Sequence, residues 1–239
     1  MHLTTPGLPS LSSSASTLSC TAPNAKVYFL TSDKTSWVYY APQWYRKVFK
    51  QQHVTESDWK NAYSQWLDRH DAIKMFGKDV LMPRFQQVYG GTDYRFSGQT
   101  FAALPIPDDL EPCIDAMRQL VATPIDTTFS LDFYRGILVN WYANGDHYMG
   151  PHTDNEKALV PRAPVCSLSL GTTRRFVFTP KDSGLKEHER LELMLHDGDL
   201  VVMGGTTQET HKHALPKMSN QKFAVGKRIN VTMRCFRQP

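Results

Sequence analysis

The segment "GPHTDNE", residues 150–156, places one histidine and two carboxylates within five positions. It follows a segment with strand-like alternation, and side chains two residues apart on an extended chain point the same way, as His152 and Asp154 would. Further along, "HKHALP" carries His211 and His213. Two imidazoles and one carboxylate are the facial triad of non-haem Fe(II) oxygenases. Such a triad is one hypothesis, and a solvated loop that carries ordinary charges is the other.

The C-terminal segment "RINVTMRCF" favours the metal hypothesis. Its polar residues alternate with apolar ones, so that one strand face carries Arg228, Asn230, Thr232 and Arg234. A buried polar face with an arginine at each end needs anions, and guanidinium groups pair with carboxylates in a two-pronged geometry that lysine does not reproduce. The two arginines could therefore bind opposite ends of a short dicarboxylate. The alternative is an edge strand with solvated arginines.

A second strand-like segment, "VNWY", could contribute to the same site. Asn140 and Tyr142 share one face of it and could supply a neutral donor and a hydroxyl group.

The elements around these residues are of two kinds. From about residue 130 the hydrophobic pattern has a period of two and is broken by turn-like segments such as "NGD", "GTT" and "HDGD", which predicts many short strands. Two amphipathic helices are predicted before it, in "ESDWKNAYSQWLDRH" and in "PDDLEPCIDAMRQLVA". The inward residues of the second are Leu110, Ile114, Met117 and Val121. The predicted fold is one α+β domain, a β-sandwich or jelly roll with helices packed on one face.

Composition limits the class of protein. A chain of 239 residues with 41% hydrophobic residues can bury one substantial core. The formal charge of +4 is compatible with a polyanionic partner but does not require one. The four cysteines are scattered without a CxxC pair, which favours a reducing compartment, and no apolar run is long enough for a membrane span. Residues 1–24 contain no Lys, Arg, Asp or Glu and are predicted to be a flexible tail before a domain over 25–239.

These motifs, over about residues 75–236, resemble the AlkB-type Fe(II)/2-oxoglutarate-dependent dioxygenases. The matching features are HxD at 152–154, the histidine before "ALP", "RxNxTxR" at 228–234, and "NWY", which is similar to the family's Asn-x-Tyr. The resemblance implies a double-stranded β-helix, a jelly roll, in residues 131–239, after helices and a nucleotide-recognition lid in 25–130. It also implies that iron is bound by His152, Asp154 and His213. Strand periodicity cannot choose between His211 and His213, but the family's pattern of histidine, small residue and proline favours His213.

The same resemblance assigns residues to the cosubstrate 2-oxoglutarate. Arg228 would pair with its distal carboxylate, and Arg234 would lie nearer the metal-bound end. The full set that the resemblance implies is Asn140, Tyr142, Arg228, Asn230, Thr232 and Arg234.

The segment "MFGKDVLMPRFQQVYGGTDYRFSG" indicates a substrate class. Enzymes that flip a base need an aromatic surface to stack it and a group to fill the gap that it leaves. By resemblance to the duplex-DNA-repair members, Phe76 would be the wedge, and Tyr94 and Phe96 would line the base pocket. Arg84 would lie beside the DNA strand at the position that the flipped base has left. Asn155 and Glu156 would extend toward the base. The alternatives are that the aromatic residues belong to the core and that Glu156 is a solvated carboxylate.

The activity that the resemblance implies is oxidative demethylation of N-alkylated bases, such as 1-methyladenine and 3-methylcytosine, in DNA. It would use Fe(II), 2-oxoglutarate and O₂ and release succinate, CO₂ and formaldehyde. The expected partner is nucleic acid, DNA with a flipped alkylated base, and the expected state is an intracellular monomer, nuclear in a eukaryote. Thr153 and Asn155 depart from other duplex-acting members, which leaves the preferred lesion open. Alternatives are the same fold acting on RNA, protein or a small molecule, and a catalytically silent nucleic-acid-binding domain.

Overall fold

The computed structural model describes residues 24–49, 71–75, 77–91, 93–96, 99–108, 110–122, 134–182, 184, 188–218 and 225–237. Within these ranges the chain forms fifteen β-strands and three helices. The helices are α1 (Trp44–Phe49), α2 (Glu111–Leu120) and α3 (Thr207–Thr210). None of the described helices is long and apolar enough to cross a membrane.

The strands before α2 are β1 (Lys26–Phe29), β2 (Ser36–Ala41), β3 (Ala72–Met75), β4 (Lys78–Leu81), β5 (Phe85–Gly90), β6 (Tyr94–Phe96) and β7 (Gln99–Phe101). Those after it are β8 (Gly136–Tyr142), β9 (Met149–His152), β10 (Val165–Gly171), β11 (Arg174–Pro180), β12 (Leu191–Leu195), β13 (Leu200–Gly205), β14 (His211–Leu215) and β15 (Arg228–Arg234).

Two antiparallel sheets form the body of the molecule. The major sheet has seven strands in the order β1-β2-β13-β10-β15-β8-β5, and the minor sheet has four in the order β12-β11-β14-β9. One apolar cluster joins them, with Val38, Val165 and Met203 from the major sheet and Phe176 and Phe178 from the minor sheet. The two sheets therefore pack face to face, which confirms the predicted jelly roll. The remaining pairs, β3–β4 and β6–β7, are separate two-stranded hairpins.

The helices α1 and α2 cover the other face of the major sheet. The four residues predicted to face inward from the second helix, Leu110, Ile114, Met117 and Val121, are all at most 2% exposed and join one cluster with that sheet. Pro112 lies in the first turn, where its missing N–H costs no helical hydrogen bond. The other predicted helix and, apart from Asn24, the predicted N-terminal tail lie outside the described residues.

Strand β15 is central, because it pairs with β10 on one side and β8 on the other. Its apolar residues pack toward the helices, and its polar residues face the minor sheet. The interpretation of this segment as a solvated edge strand is therefore wrong. Its polar residues, Arg228, Asn230, Thr232 and Arg234, are between 1% and 8% exposed.

Candidate active site

Three potential metal ligands meet between the two sheets. His152, the last residue of β9, lies directly opposite His213 of β14, and their ring centroids are 4.2 Å apart. Asp154 follows two residues after β9, and its Oδ2 lies 3.6 Å from His213 Nε2. One potential ligand atom from each of the three residues lies within 4.8 Å of the others. The pairing of two neighbouring strands thus fixes the imidazoles, and the loop after β9 adds the carboxylate.

The protonation states of this trio suit a divalent cation. His152 Nδ1 lies 3.0 Å from the carbonyl oxygen of Gly150, which can only accept, so Nδ1 carries the proton and Nε2 keeps its lone pair. Burial lowers the pKa of His152, and burial with the neighbouring His152 ring lowers the pKa of His213 to about 3. Burial alone would raise the pKa of Asp154, but Arg234 and the two histidines outweigh it and lower that pKa. Two neutral imidazoles and an ionised carboxylate are what Fe(II) binds.

His211 is committed elsewhere. Its Nδ1 lies 2.8 Å from Thr210 Oγ1, and its Nε2 lies 3.0 Å from the carbonyl oxygen of Glu189. Both ring nitrogens are thus engaged, and the contact with Glu189 ties β14 to the segment before β12. Of the two candidates that the strand period left open, the structure brings His213 to the trio.

A cavity opens beside the trio. Its wall contains all six residues that the sequence assigned to 2-oxoglutarate, namely Asn140, Tyr142, Arg228, Asn230, Thr232 and Arg234. Arg228 is 1% exposed, donates from Nη2 to Ser169 Oγ at 2.8 Å, and stacks 5.2 Å from the ring centroid of Tyr142. Arg228 and Arg234 lie at opposite ends of β15, which gives the cavity a cation toward each end.

Asn230 has a supporting position within this wall. Its amide nitrogen donates to Ser167 Oγ at 2.8 Å and to the carbonyl oxygen of Leu168 at 2.9 Å, while its Oδ1 accepts from Thr232 at 3.0 Å. Both amide protons are thus used inside the protein, and they tie β15 to β10. The inward serines of "VCSLSL" were missed in the sequence, although its alternation could have marked them.

Arg84 lies where the sequence did not place it. It was expected to lie beside a DNA strand, but it is only 5% exposed and its Nε donates to Asn140 Oδ1 at 2.9 Å. This placement contradicts a surface role in the described conformation. Because Oδ1 of Asn140 accepts from Arg84, the amide nitrogen of Asn140 is the group that can donate into the cavity.

A chain of polar contacts runs from β6 to the metal trio. Tyr94 donates from its hydroxyl to Glu156 Oε1 at 2.6 Å, and Arg234 Nη1 lies 3.6 Å from the same oxygen. Arg234 Nη2 then pairs with Asp154 Oδ1 at 2.9 Å. Glu156 is therefore held in place, and its interpretation as a solvated carboxylate is wrong. Arg234 and Asp154 are eighty positions apart, so no local pattern could have predicted their ion pair.

The structure describes the remaining predicted substrate residues only in part. Asn155 is exposed and borders a second cavity next to the trio. Phe96 lies in β6, but its side chain is outside the described part of the chain, as is the whole of Phe76. One contact was not foreseen: Gln208 of α3 accepts the backbone N–H of Asp154 at 2.9 Å.

The jelly roll and the His-Asp-His trio define the class of protein. The sequence family agrees: the chain belongs to the 2OG-Fe(II) oxygenase superfamily, whose profile matches residues 37–234. Among curated proteins it is similar to the mouse DNA oxidative demethylase ALKBH2, with 34% identity over 168 residues, 68% of this chain and 65% of that protein. The human protein of the same name is also 34% identical over 168 residues, covering 68% of this chain and 60% of its own length. Human alpha-ketoglutarate-dependent dioxygenase alkB homolog 3 is 28% identical over 157 residues, covering 64% and 51% respectively. The aligned part of the chain spans half to two-thirds of these relatives.

Proposed function

We propose that this protein is an Fe(II)- and 2-oxoglutarate-dependent dioxygenase that demethylates N-alkylated bases in DNA. The observation that carries the proposal is that β15 presents Arg228 and Arg234 in the cavity that also contains the trio. A dicarboxylate that bridges a metal and an arginine fits this arrangement. The family match and the relatives named DNA oxidative demethylases support the same activity.

His152, Asp154 and His213 would bind the iron. When bound there, Fe(II) and 2-oxoglutarate supply the oxidative chemistry with O₂, which hydroxylates an N-alkyl carbon and releases methyl as formaldehyde, with succinate and CO₂. Arg228 would pair with the distal carboxylate of 2-oxoglutarate.

Smaller groups would orient the cosubstrate in the cavity. Tyr142 and Thr232 would supply hydroxyl contacts, and Asn140 would donate from its amide nitrogen. Arg84 would orient Asn140, because its hydrogen bond to Oδ1 leaves the amide nitrogen to face the cavity. Asn230 would keep β15 in register with β10.

Arg234 would hold two carboxylates in place at once. It pairs with Asp154 and lies beside Glu156, so one guanidinium group orients both carboxylates. This would keep the side of the iron site nearest the substrate in one geometry.

Glu156 would recognise the base. Its Oε1 accepts from Tyr94, whereas its Oε2 is buried and has no hydrogen-bond partner among the described residues. A buried acceptor without a partner costs about 1–3 kcal/mol, and an exocyclic amino group would remove that cost. Adenine and cytosine carry such a group, which supports 1-methyladenine and 3-methylcytosine as substrates.

The other base contacts rest on the sequence. Phe96 would stack the flipped base against His152, Asn155 would border it, and Phe76 would fill the gap in a duplex. We further propose that the protein acts as a monomer inside the cell, in the compartment that holds its DNA.

The test is demethylation itself. The protein is incubated with Fe(II), 2-oxoglutarate and air, and with the same sequence as methylated single-stranded DNA, duplex DNA or RNA, and formaldehyde and the unmethylated base are quantified by mass spectrometry. We expect 2-oxoglutarate-dependent release of formaldehyde from DNA, and none from unmethylated DNA. Turnover of RNA alone, or of no nucleic acid, would contradict the proposal.

A further inference from the structure

A second cavity of about 410 Å³ adjoins the metal trio. It shares Asp154, Glu156 and Arg234 with the trio's surroundings and opens between residues 155–163, the end of β11 and the end of β15. Its floor is therefore the polar chain beside the metal ligands, and its rim lies at the surface.

Positive charge predominates at this cavity. Five of its lining residues are basic and three are acidic: Lys157, Arg162, Lys181, Arg234 and Arg237, against Asp154, Glu156 and Glu209. Arg234 pairs with Asp154 and lies beside Glu156, and Arg162 pairs with Glu209 through two contacts of 2.8 and 3.0 Å. With five basic and three acidic residues, the lining carries a net charge of +2. The three basic residues outside these pairs are Lys157, Lys181 and Arg237, which we call the basic rim.

Two residues of the basic rim donate hydrogen bonds to neutral groups. Lys181 donates from Nζ to the carbonyl oxygen of Gln208 at 2.9 Å, and Arg237 donates from Nε to the carbonyl oxygen of Leu159 at 3.0 Å. Both acceptors are neutral, so these hydrogen bonds do not cancel the positive charges, although Lys181 also interacts electrostatically with Glu209. Lys157, Lys181 and Arg237 are all exposed.

The backbone beneath the basic rim is ordered by its own hydrogen bonds. The N–H of Arg237 donates to the carbonyl of Ala158 at 2.9 Å, and the N–H of Lys181 donates to that of Thr210 at 2.8 Å. Arg162 adopts a left-handed φ of 62°, which is unfavourable for a side chain other than glycine, and its two contacts with Glu209 hold it there. The side chains of Lys181 and Arg237, which are held by hydrogen bonds, lose less conformational entropy on binding than free side chains would.

We propose that the basic rim binds the phosphodiester backbone of the strand that carries the target base. This rests on the proposed function, since it places the strand by the cavity whose floor contains Glu156. Phosphate contacts set the position of a strand without reading its sequence, which is what an enzyme that must find a lesion in any sequence needs. The cavity also gives the sugar and phosphate flanking a flipped base somewhere to lie.

The test compares two double variants that remove the same charge from exposed lysines. Lys157→Gln with Lys181→Gln alters the basic rim, and Lys26→Gln with Lys212→Gln alters the outer strand β1 and the outward face of β14. Binding of a labelled, unmethylated single strand of about fifteen nucleotides is measured over a salt series. Arg237 is left in place because its loss would disturb the segment at Leu159.

We expect the rim variant to bind about tenfold more weakly at low salt, and its slope of log K against log salt to fall by about 0.7 for each phosphate that the variant no longer neutralises. Its Tm and its affinity for 2-oxoglutarate should match those of the wild type, and the control variant should bind like the wild type. Equal weakening of both variants would overturn the proposal, because it would mean only a loss of general charge. Binding to unmethylated DNA does not depend on catalysis, so failure of the demethylation test would be recognised separately.

Discussion

His213 and His211 are two positions apart on the same face of β14, yet only His213 lies in the trio. We predict that His213→Ala abolishes stoichiometric binding of Fe(II), because two of the three ligands cannot hold the metal in place. We predict that His211→Ala retains metal binding but loses about 1–3 kcal/mol of stability, because it leaves the carbonyl of Glu189 without its partner, while the hydroxyl of Thr210 keeps its contacts with Ser36 and the carbonyl of Thr206. Anaerobic calorimetry with Fe(II) and thermal melts of both variants measure the two effects.

The reverse pattern, with metal binding abolished in His211→Ala and kept in His213→Ala, would refute the assignment. The matched surroundings make the pair informative, since both rings are buried on one strand. Because the two residues are two positions apart on one strand, their side chains point the same way. Only the contacts of His211 with Glu189 and Thr210 distinguish them. The residue types of the metal ligands were thus predictable from the sequence. In the structure, His213 differs from His211 because of packing between segments that are distant in the sequence.

Arg84 illustrates the same limit at the residue scale. Its sequence position before β5 gave no sign that it would be buried. Its place follows from the pairing of β5 with β8, which sets Gln86 opposite Asn140 and brings Arg84 Nε to Asn140 Oδ1. A side chain that reaches across two strands cannot be predicted until the strands are paired.

At the scale of elements, β2 and β13 are joined through a contact that tolerates no side chain. Gly204 lies opposite Trp37, and a Cβ atom on Gly204 would be 1.9 Å from the indole ring. We predict that Gly204→Ala destabilises the protein by about 1–3 kcal/mol, because the ring or the strand must shift. Gly150→Ala in β9 is the control, since a Cβ there would meet nothing within 4 Å. Denaturant unfolding of the two variants compares them, and equal stabilities would mean that Trp37 moves freely.

The strands themselves were largely predictable, but their order was not. A period of two in "RINVTMRCF" and "VCSLSL" predicted both strands, and in "RINVTMRCF" it also predicted the polar face, because alternation depends only on neighbours in sequence. That β15 lies between β10 and β8 depends on contacts between residues 57 to 98 positions apart. The site lies where these three strands meet. Its residues could therefore be predicted from the sequence, but their geometry could not.

For the whole molecule, the open question is how the cavity reaches a base inside a duplex. The hairpin β3–β4 carries exposed apolar side chains, with Val80 40% and Leu81 65% exposed, and Phe76 lies between its strands in the sequence. Extracting a paired base costs a few kcal/mol, and an apolar group that occupies the gap offsets part of that cost. A single strand carries no such cost. The hairpin is therefore expected to matter only for duplex substrates.

We predict that Phe76→Ala lowers the rate of 1-methyladenine repair in duplex DNA by about tenfold, equivalent to about 1.4 kcal/mol, and leaves repair in a single strand nearly unchanged. Val27→Ala is the control, since Val27 is 51% exposed on β1 at the far edge of the major sheet and should affect neither substrate. Rates are measured on the same sequence in both forms, with a thermal melt of each variant. If Phe76 were a core residue, its truncation would cost about 3–5 kcal/mol, Tm would fall, and both substrates would suffer alike. That outcome would mean that Phe76 is not the wedge. The exposed side chains of β4 would then be the next part of the hairpin to test.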